Sequence, residues 1–353
     1  MANLIFDKLN ELLIDADNKW ITRKRKINTK LLFEFMSQLI YHKKGINHLI
    51  AINYFKDNKY KITDAAICKA RVRCSFNIFD QIKHKLIDHF FSSNNIYAVD
   101  GSKIRLPTFF SKEGFITRSP NTKPILAMIS SIFDIKNKIP FNTLLCKHHN
   151  ERTAVCDQLK YLPKNSTLIF DRGYYSKKMV DILSKNNIKY LFRLKKDANK
   201  NINNFFKYKR CYKKHVVVNG HKMFLFKYKI KNKIYLCGTN INQNINYLKK
   251  LYEQRWSVEE GFKTMKSILN LKYVHSKTNE LLKQEIIIRE ILFVVSRYLQ
   301  MNTKNKKLFY KPSFRLILDF IINFYSTVFD LFSIAQIIFY NYQFKNIPGR
   351  NRT

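Results

Sequence analysis

The spacing of apolar and polar residues changes twice along the chain. Up to about residue 92 it is helical: LLFEFMSQLIYHKKGINHLI repeats its apolar positions every three or four residues, and KITDAAICKARVRCSFNIFDQIKHKL does the same behind an N-cap at Thr63. A block of short apolar runs follows. IYAVD (96–100), ILAMISSIFDI (125–135), KIPFNTLLC (138–146), STLIFD (166–171) and IKYLFRL (188–194) read as strands, with a turn at Lys136-Asn137-Lys138. ERTAVCDQLKYL (151–162) and the segment after RGYY read as helices between them. From about 196 to 240 the period is two, around the hairpin signal Asn219-Gly220. From about Asn246 to Tyr342 it is helical again. The expected fold is mixed α/β: a helical region at 1–92, an α/β core at 93–195 rejoined by 241–272, a β-rich insertion at 196–240 and a helical region at 273–353.

Charge adds a partner to this outline. The 353 residues carry 65 Lys and Arg against 25 Asp and Glu, a formal net charge of +40. Such an excess costs self-repulsion and attracts polyanions, so nucleic acid is the expected partner. An AT-rich coding genome would also enrich Lys, Asn and Ile. Lys69, Arg71 and Arg73 in the N-terminal region suit a solvated helix face and a DNA contact equally well. The six cysteines, Cys68, Cys74, Cys146, Cys156, Cys211 and Cys237, form no C-x-x-C pair, which speaks for reduced thiols and against a zinc site. Asp319, Asn323, Asp330 and Gln336 interrupt the apolar stretch from Leu316 to Tyr340, and the acid-containing N-terminus has no cleavable apolar core. No membrane association is expected.

The chemistry concentrates in YEQRWSVEEGFKTMK, residues 252–266. Wound as one continuous helix, it places Tyr252, Arg255, Glu259 and Lys266 within about 60° of one another. Leu251, Val258, Phe262, Met265 and Leu269 form an adjacent apolar stripe, Trp256 falls beside the polar edge, and Glu253, Ser257, Glu260 and Thr264 lie on the far, solvated face. By itself this also describes a surface helix with i,i+4 ion pairs. Asp100 and Asp171 change the balance, because each closes an apolar strand, in AVDGS and IFDRGY. Two strand-end acids and one on a later helix are what two-metal phosphoryl transfer requires. Two hard cations about 4 Å apart activate the attacking oxygen and stabilise the leaving one, and oxygen ligands select Mg²⁺ or Mn²⁺.

These residues resemble the insertion-sequence-four family of DDE transposases. Tyr252, Arg255, Glu259 and Lys266 match its Y-x2-R-x3-E-x6-K box at every spacing. YAVDGSKIRLP (97–107), LIFDRGYYS (168–176), FRLK (192–195), HHNER (148–152) and KARVRCSFNIFDQI are similar to its further segments. The resemblance implies an RNase H-like catalytic core. It implies that Asp100, Asp171 and Glu259 are catalytic and hold two Mg²⁺ or Mn²⁺ ions, and that Tyr252, Arg255, Lys266 and Arg172 contact DNA phosphates. Trp256 would stack on a flipped base. The implied activity is cut-and-paste transposition through strand nicking, hairpin formation and strand transfer, on double-stranded DNA held by a homodimer. The compartment would be the bacterial cytoplasm with its nucleoid, or the nucleus of a eukaryotic host. Two alternatives stay open: a domesticated or inactive DNA-binding derivative, and a metal-dependent nuclease of the same superfamily. Glu151 would lie near the metals or simply be a helix N-terminal acid favoured by the dipole.

Overall fold

The computed structural model describes residues 2–23, 25–43, 45, 62–115, 125–208, 212–231, 233–302 and 312–324. Cys211 and most of the apolar stretch 316–340 lie outside them. The chain divides into two compact units, Ser92–Thr264 and a second made of Met1–Phe91 with Met265–Thr353.

The Ser92–Thr264 unit is built on one eight-stranded sheet of order β3-β2-β1-β4-β5-β8-β7-β6. Its strands are β1 Ile96–Leu106, β2 Ile125–Asp134, β3 Ile139–Cys146, β4 Thr167–Phe170, β5 Lys189–Arg193, β6 Lys213–Val218, β7 His221–Ile230 and β8 Lys233–Thr239. β1, β2 and β3 form an antiparallel meander, and β1, β4 and β5 run parallel. β8 pairs antiparallel with β5 and carries β7 and β6 outward, so the β-rich segment extends the same sheet. This mixed α/β architecture is the fold class expected from the sequence. At the β2–β3 turn, Asp134 accepts from the backbone N–H groups of Lys136 and Asn137, at 2.9 and 3.1 Å, and Lys138 adopts φ 57°. Asn219 and Gly220 have φ 49° and 79°, the left-handed pair that a tight hairpin between β6 and β7 requires.

Strand alternation gives this sheet two different faces. Tyr97, Val99, Leu168, Phe170, Tyr190 and Phe192 point one way into a single apolar cluster. It is completed by Val155 of α5 (Glu151–Gln158), Met179, Val180 and Leu183 of α6 (Lys177–Lys185), and Ile202 and Phe205 of α7 (Lys200–Lys207). The opposite face carries Ala98, Asp100, Ile169 and Leu191, and also Phe133, which pairs with Ala98. Two further helices follow β8: α8 (Ile245–Glu253) and α9 (Trp256–Ser267).

Gly261 of α9 lies against Phe133 so closely that a Cβ at Gly261 would sit 2.5 Å from the ring. The contact seats α9 on the Asp100 side of the sheet. Gly261→Ala should lower unfolding stability by about 1–3 kcal/mol through overpacking, and adding Phe133→Leu should recover most of the loss. Additive losses in that double-mutant cycle would mean that this contact does not set the helix position.

The other unit is helical: α1 (Ala2–Asp15), α2 (Thr29–His42), α3 (Asp64–Arg73), α4 (Phe76–Phe90), α10 (Asn279–Asn302) and α11 (Phe314–Phe324). Thr63 caps α3 through its side chain, as its sequence position suggested. Arg71 departs from both expectations for it, since it faces neither solvent nor an open surface. It is 2 % exposed and donates to Gln284, Ser276 and Glu285. Arg289 pairs with the other side of Glu285, and Lys83 of α4 pairs with Glu290 at 2.9 Å. An apolar helical repeat marks which face is buried, but only the neighbouring helices determine that this face carries ion pairs. No described helix is long and apolar enough to cross a membrane, and the five described cysteines are free.

Candidate active site

Asp100 and Asp171 occupy equivalent places on neighbouring strands. The parallel ladder of β1 and β4 ends at Ala98 and Ile169, and each aspartate stands two residues beyond its member of that pair. By alternation both carboxylates leave the sheet on the face that carries Phe133 and α9. Asp171 directly follows β4, as the sequence suggested. Asp100 does not close its strand, because β2 keeps pairing with β1 as far as Leu106. The polar residues after Val99 end the apolar run, whereas backbone hydrogen bonding to β2 is indifferent to side-chain polarity. Arg193 follows the last pair of the next ladder, Phe170 with Phe192, and so flanks Asp171, with Nη1 3.9 Å from Oδ1. The same guanidinium lies over the Tyr235 ring, 4.8 Å from its centroid.

The Y-x2-R-x3-E-x6-K segment is not one continuous helix. α8 ends at Glu253 and α9 begins at Trp256. Between them the N–H groups of Arg255, Ser257 and Val258 each bond the carbonyl three residues back, at 3.0, 3.1 and 3.2 Å. This tighter turn advances more than an α-helical step per residue, so a single helical wheel misplaces what it carries. Ser257, expected in solvent, is buried, and Trp256 projects outward at 59 % exposure. The apolar stripe of Leu251, Val258, Phe262, Met265 and Leu269 is buried as expected.

The turn brings Tyr252, Arg255 and Glu259 to the aspartates. The Tyr252 hydroxyl donates to Asp171 Oδ1 at 3.4 Å, and buried Arg255 forms an ion pair with Glu259. Burial opposes the Arg255 charge, but Glu259, Tyr252 and Asp171 outweigh it and hold the guanidinium protonated. Arg172 is exposed, and Lys266 lies in the last turn of α9, in the other unit. Among the described residues, no three Asp, Glu, His or Cys side chains converge as metal ligands. The acids share one field, while Glu259 is held by Arg255 and Asp171 by Tyr252.

Burial raises the Asp100 carboxyl to about 6, with Glu259 and Glu151 adding to the shift and the Gly101 N–H and Arg255 opposing it. Folding therefore favours the neutral acid. The stability contributed by that form is complete below about pH 4 and is lost as pH rises through about 6. Asp100→Asn, neutral throughout, should stabilise the metal-free protein at pH 7 by up to about 3 kcal/mol. The gain should vanish near pH 4. A thermal midpoint equal to or below that of the unaltered protein at pH 7 would contradict this account.

The donor set suits hard divalent cations. Asp100, Asp171 and Glu259 would offer carboxylate oxygens, the ligands such ions prefer. Tyr174, 2 % exposed, has a buried hydroxyl without a hydrogen-bond partner among the described residues, in the field of Glu151, Asp100 and Asp171. Two neighbours of the acids escaped prediction as functional residues. Arg193 was legible only once β4 and β5 were aligned. Tyr174 was legible only as a residue following the second aspartate.

A family model described as the transposase DDE domain matches residues 92–295, more than half of the chain. Among solved structures, the chain is similar to a piggyBac transposase determined by cryo-EM as a synaptic complex with hairpin DNA. The TM-score is 0.52 at 10% sequence identity, over 99% of this chain and 87% of that one. No curated protein matches the sequence. On the strength of the matched domain, the chain belongs to the transposase DDE domain family.

Proposed function

We propose that this protein is a cut-and-paste DNA transposase of the insertion-sequence-four type, with Asp100, Asp171 and Glu259 as its catalytic acids. The observation that carries the reading is the placement of Asp100 and Asp171 at equivalent positions on one sheet face. Glu259 joins them through the field of Arg255.

Asp100 and Asp171 would hold metal from the strand side and Glu259 from α9, once Glu259 exchanges Arg255 for the cation. Two Mg²⁺ or Mn²⁺ ions, when bound, polarise the scissile phosphate and stabilise the charge that develops on it. Arg255, released from Glu259, is placed to pair with a phosphate oxygen, for which its fork of donors is suited. Tyr252 orients Asp171 through its hydroxyl, and Arg193 balances the same carboxylate. Arg172 and Lys266 supply further positive charge for the DNA backbone. The net charge of +40 supports binding a long polyanion, and pairing two DNA ends implies two copies of the protein in the complex. Such a protein would work wherever the DNA is, in the nucleoid or the nucleus.

A tight hairpin cannot keep every base stacked, so one must leave the helix. Trp256, exposed at the α8–α9 break next to Arg255, is the aromatic surface that would receive it. Base–aromatic stacking contributes about 1–3 kcal/mol, so Trp256→Ala should slow hairpin formation about 5- to 150-fold while changing first-strand nicking little. Equal slowing of both steps would remove the stacking role.

The overall reading is tested on labelled linear DNA carrying the ends of the element, with Mg²⁺. Nicks, hairpins and joined products support it. Nicks alone point to a nuclease, and binding without cutting points to a DNA-binding derivative.

A further inference from the structure

A fourth carboxylate, Glu151, lies against Gly101, the residue that follows Asp100. Glu151 is the first residue of α5, whose N-cap Asn150 accepts from the N–H groups of Arg152 and Thr153. Its side chain occupies a slot between the two acid-bearing segments. A Cβ at Gly101, next to Asp100, would lie 2.9 Å from Glu151 Oε1, and a Cβ at Gly173, two residues after Asp171, would lie 3.7 Å from Oε2. The missing side chain of Gly101 in β1 makes room for Glu151, while Gly173 lies at ordinary contact distance on its other side. Arg152 locks it by donating from Nε and Nη2 to the Gly173 carbonyl, at 3.0 and 2.8 Å.

A helix-dipole role for Glu151 needs only an acid in the first turn and makes no demand on residue 101. The slot makes that demand. The second, independent observation is the Tyr174 hydroxyl. It is buried, lacks a hydrogen-bond partner among the described residues, and lies in the field of Glu151 first and of Asp100 and Asp171 next. A buried hydroxyl costs free energy unless something completes its hydrogen bonding. An open pocket of about 330 Å³, lined by His149, Asn150, Glu151, Arg152 and Gly173, leads to Glu151.

We propose that Glu151 is a fourth carboxylate of the divalent-metal site, seated between Gly101 and Gly173, with the Tyr174 hydroxyl completing the hydrogen bonding of the oxygen shell there. The proposal rests on Asp100 and Asp171 being metal-binding, and its test separates the two. Mn²⁺ is titrated into the DNA-free, full-length protein, and free Mn²⁺ is followed by electron paramagnetic resonance. Glu151→Gln should weaken binding roughly ten- to a hundredfold without lowering the thermal midpoint in EDTA. Gly101→Ala, which displaces the carboxylate without removing it, should weaken binding in the same direction. Asp171→Asn should weaken it at least as much. Full Mn²⁺ affinity in Glu151→Gln, with affinity lost in Asp171→Asn, would overturn the Glu151 role alone. Full affinity in both would overturn the metal site itself. The unaltered protein supplies a check that does not depend on any variant folding: Fe²⁺ with ascorbate and peroxide should cut the backbone at 150–152 as well as near 100 and 171. Cuts near the aspartates with none at 150–152 would again exclude Glu151.

Discussion

Asp171→Asn should abolish strand cleavage while leaving DNA binding nearly intact. The substitution keeps the shape of the side chain and removes its charge, so the Tyr252 hydrogen bond can persist. What is lost is an anionic ligand at the place where two cations must be held. Metal stabilisation of a phosphoryl-transfer transition state amounts to several kcal/mol, so a loss on the order of a thousandfold or more, about 4 kcal/mol, is expected in the single-turnover cleavage rate. Affinity for an end-containing duplex should change by less than about threefold, since binding depends mainly on many Lys and Arg contacts to phosphate. Cleavage by Asp171→Asn within tenfold of the unaltered protein would remove Asp171 from the chemistry. The Asp100 result completes the picture: the same kind of substitution is expected to stabilise the fold at neutral pH. A site that loses activity and gains stability when its charge is deleted has been kept for function at the expense of the fold.

Glu285→Ala should be the most destabilising single substitution in the helical unit, at about 3–5 kcal/mol. Glu285 is fully buried, and its carboxylate meets Arg71 at 3.2 Å and Arg289 at 3.3 Å, with further bonds from Ser276 and the His275 backbone. Removing it leaves two guanidiniums in the interior without an anion, a far larger cost than the pair itself returned. The exposed pair Lys283–Glu280, one turn earlier on α10, is a control, and Glu280→Gln should cost less than about 1 kcal/mol. Urea unfolding of both variants checks the contrast, and similar losses would show that burial does not set the cost. Burial works against the Glu285 charge, but His275, Arg289, Arg71 and Ser276 outweigh it and hold the carboxyl far below the usual range. A depressed carboxyl contributes its stability above about pH 4.5, its unfolded value, and loses it as the solution is acidified below that point. Much of the acid sensitivity of the unaltered protein should therefore be missing from Glu285→Ala.

Arg71 shows why such a network was hidden from the sequence. In DAAICKARVR it is one of several cations on a short helix, and nothing nearby distinguishes it from Lys69 or Arg73. Its partners lie on α10 and just before it, more than 200 positions away. The box around Glu259 has the opposite character. Its spacing, taken together with the acids at 100 and 171, singled it out, and the apolar stripe beside it is buried as the pattern required. Even there, hydrophobic periodicity could not register the shift to three-residue bonding at Arg255, because the apolar positions on either side keep a helical spacing.

The sequence by itself determined the class of the protein: the alternation of strands and helices, the hairpin at Asn219-Gly220, the acids around β1 and β4, and the excess of positive charge. Each is encoded locally, by side-chain periodicity, turn chemistry or composition. Tertiary structure alone decided the rest. The register of β1 against β4 puts Asp100 level with Asp171, and the contact of Gly261 with Phe133 seats α9 on the face they share. The slot between Gly101 and Gly173 sets Glu151, a helix-end acid, against the two segments that carry the aspartates. Strand register and helix packing are settled by partners remote in sequence, so no local pattern of residues could contain them.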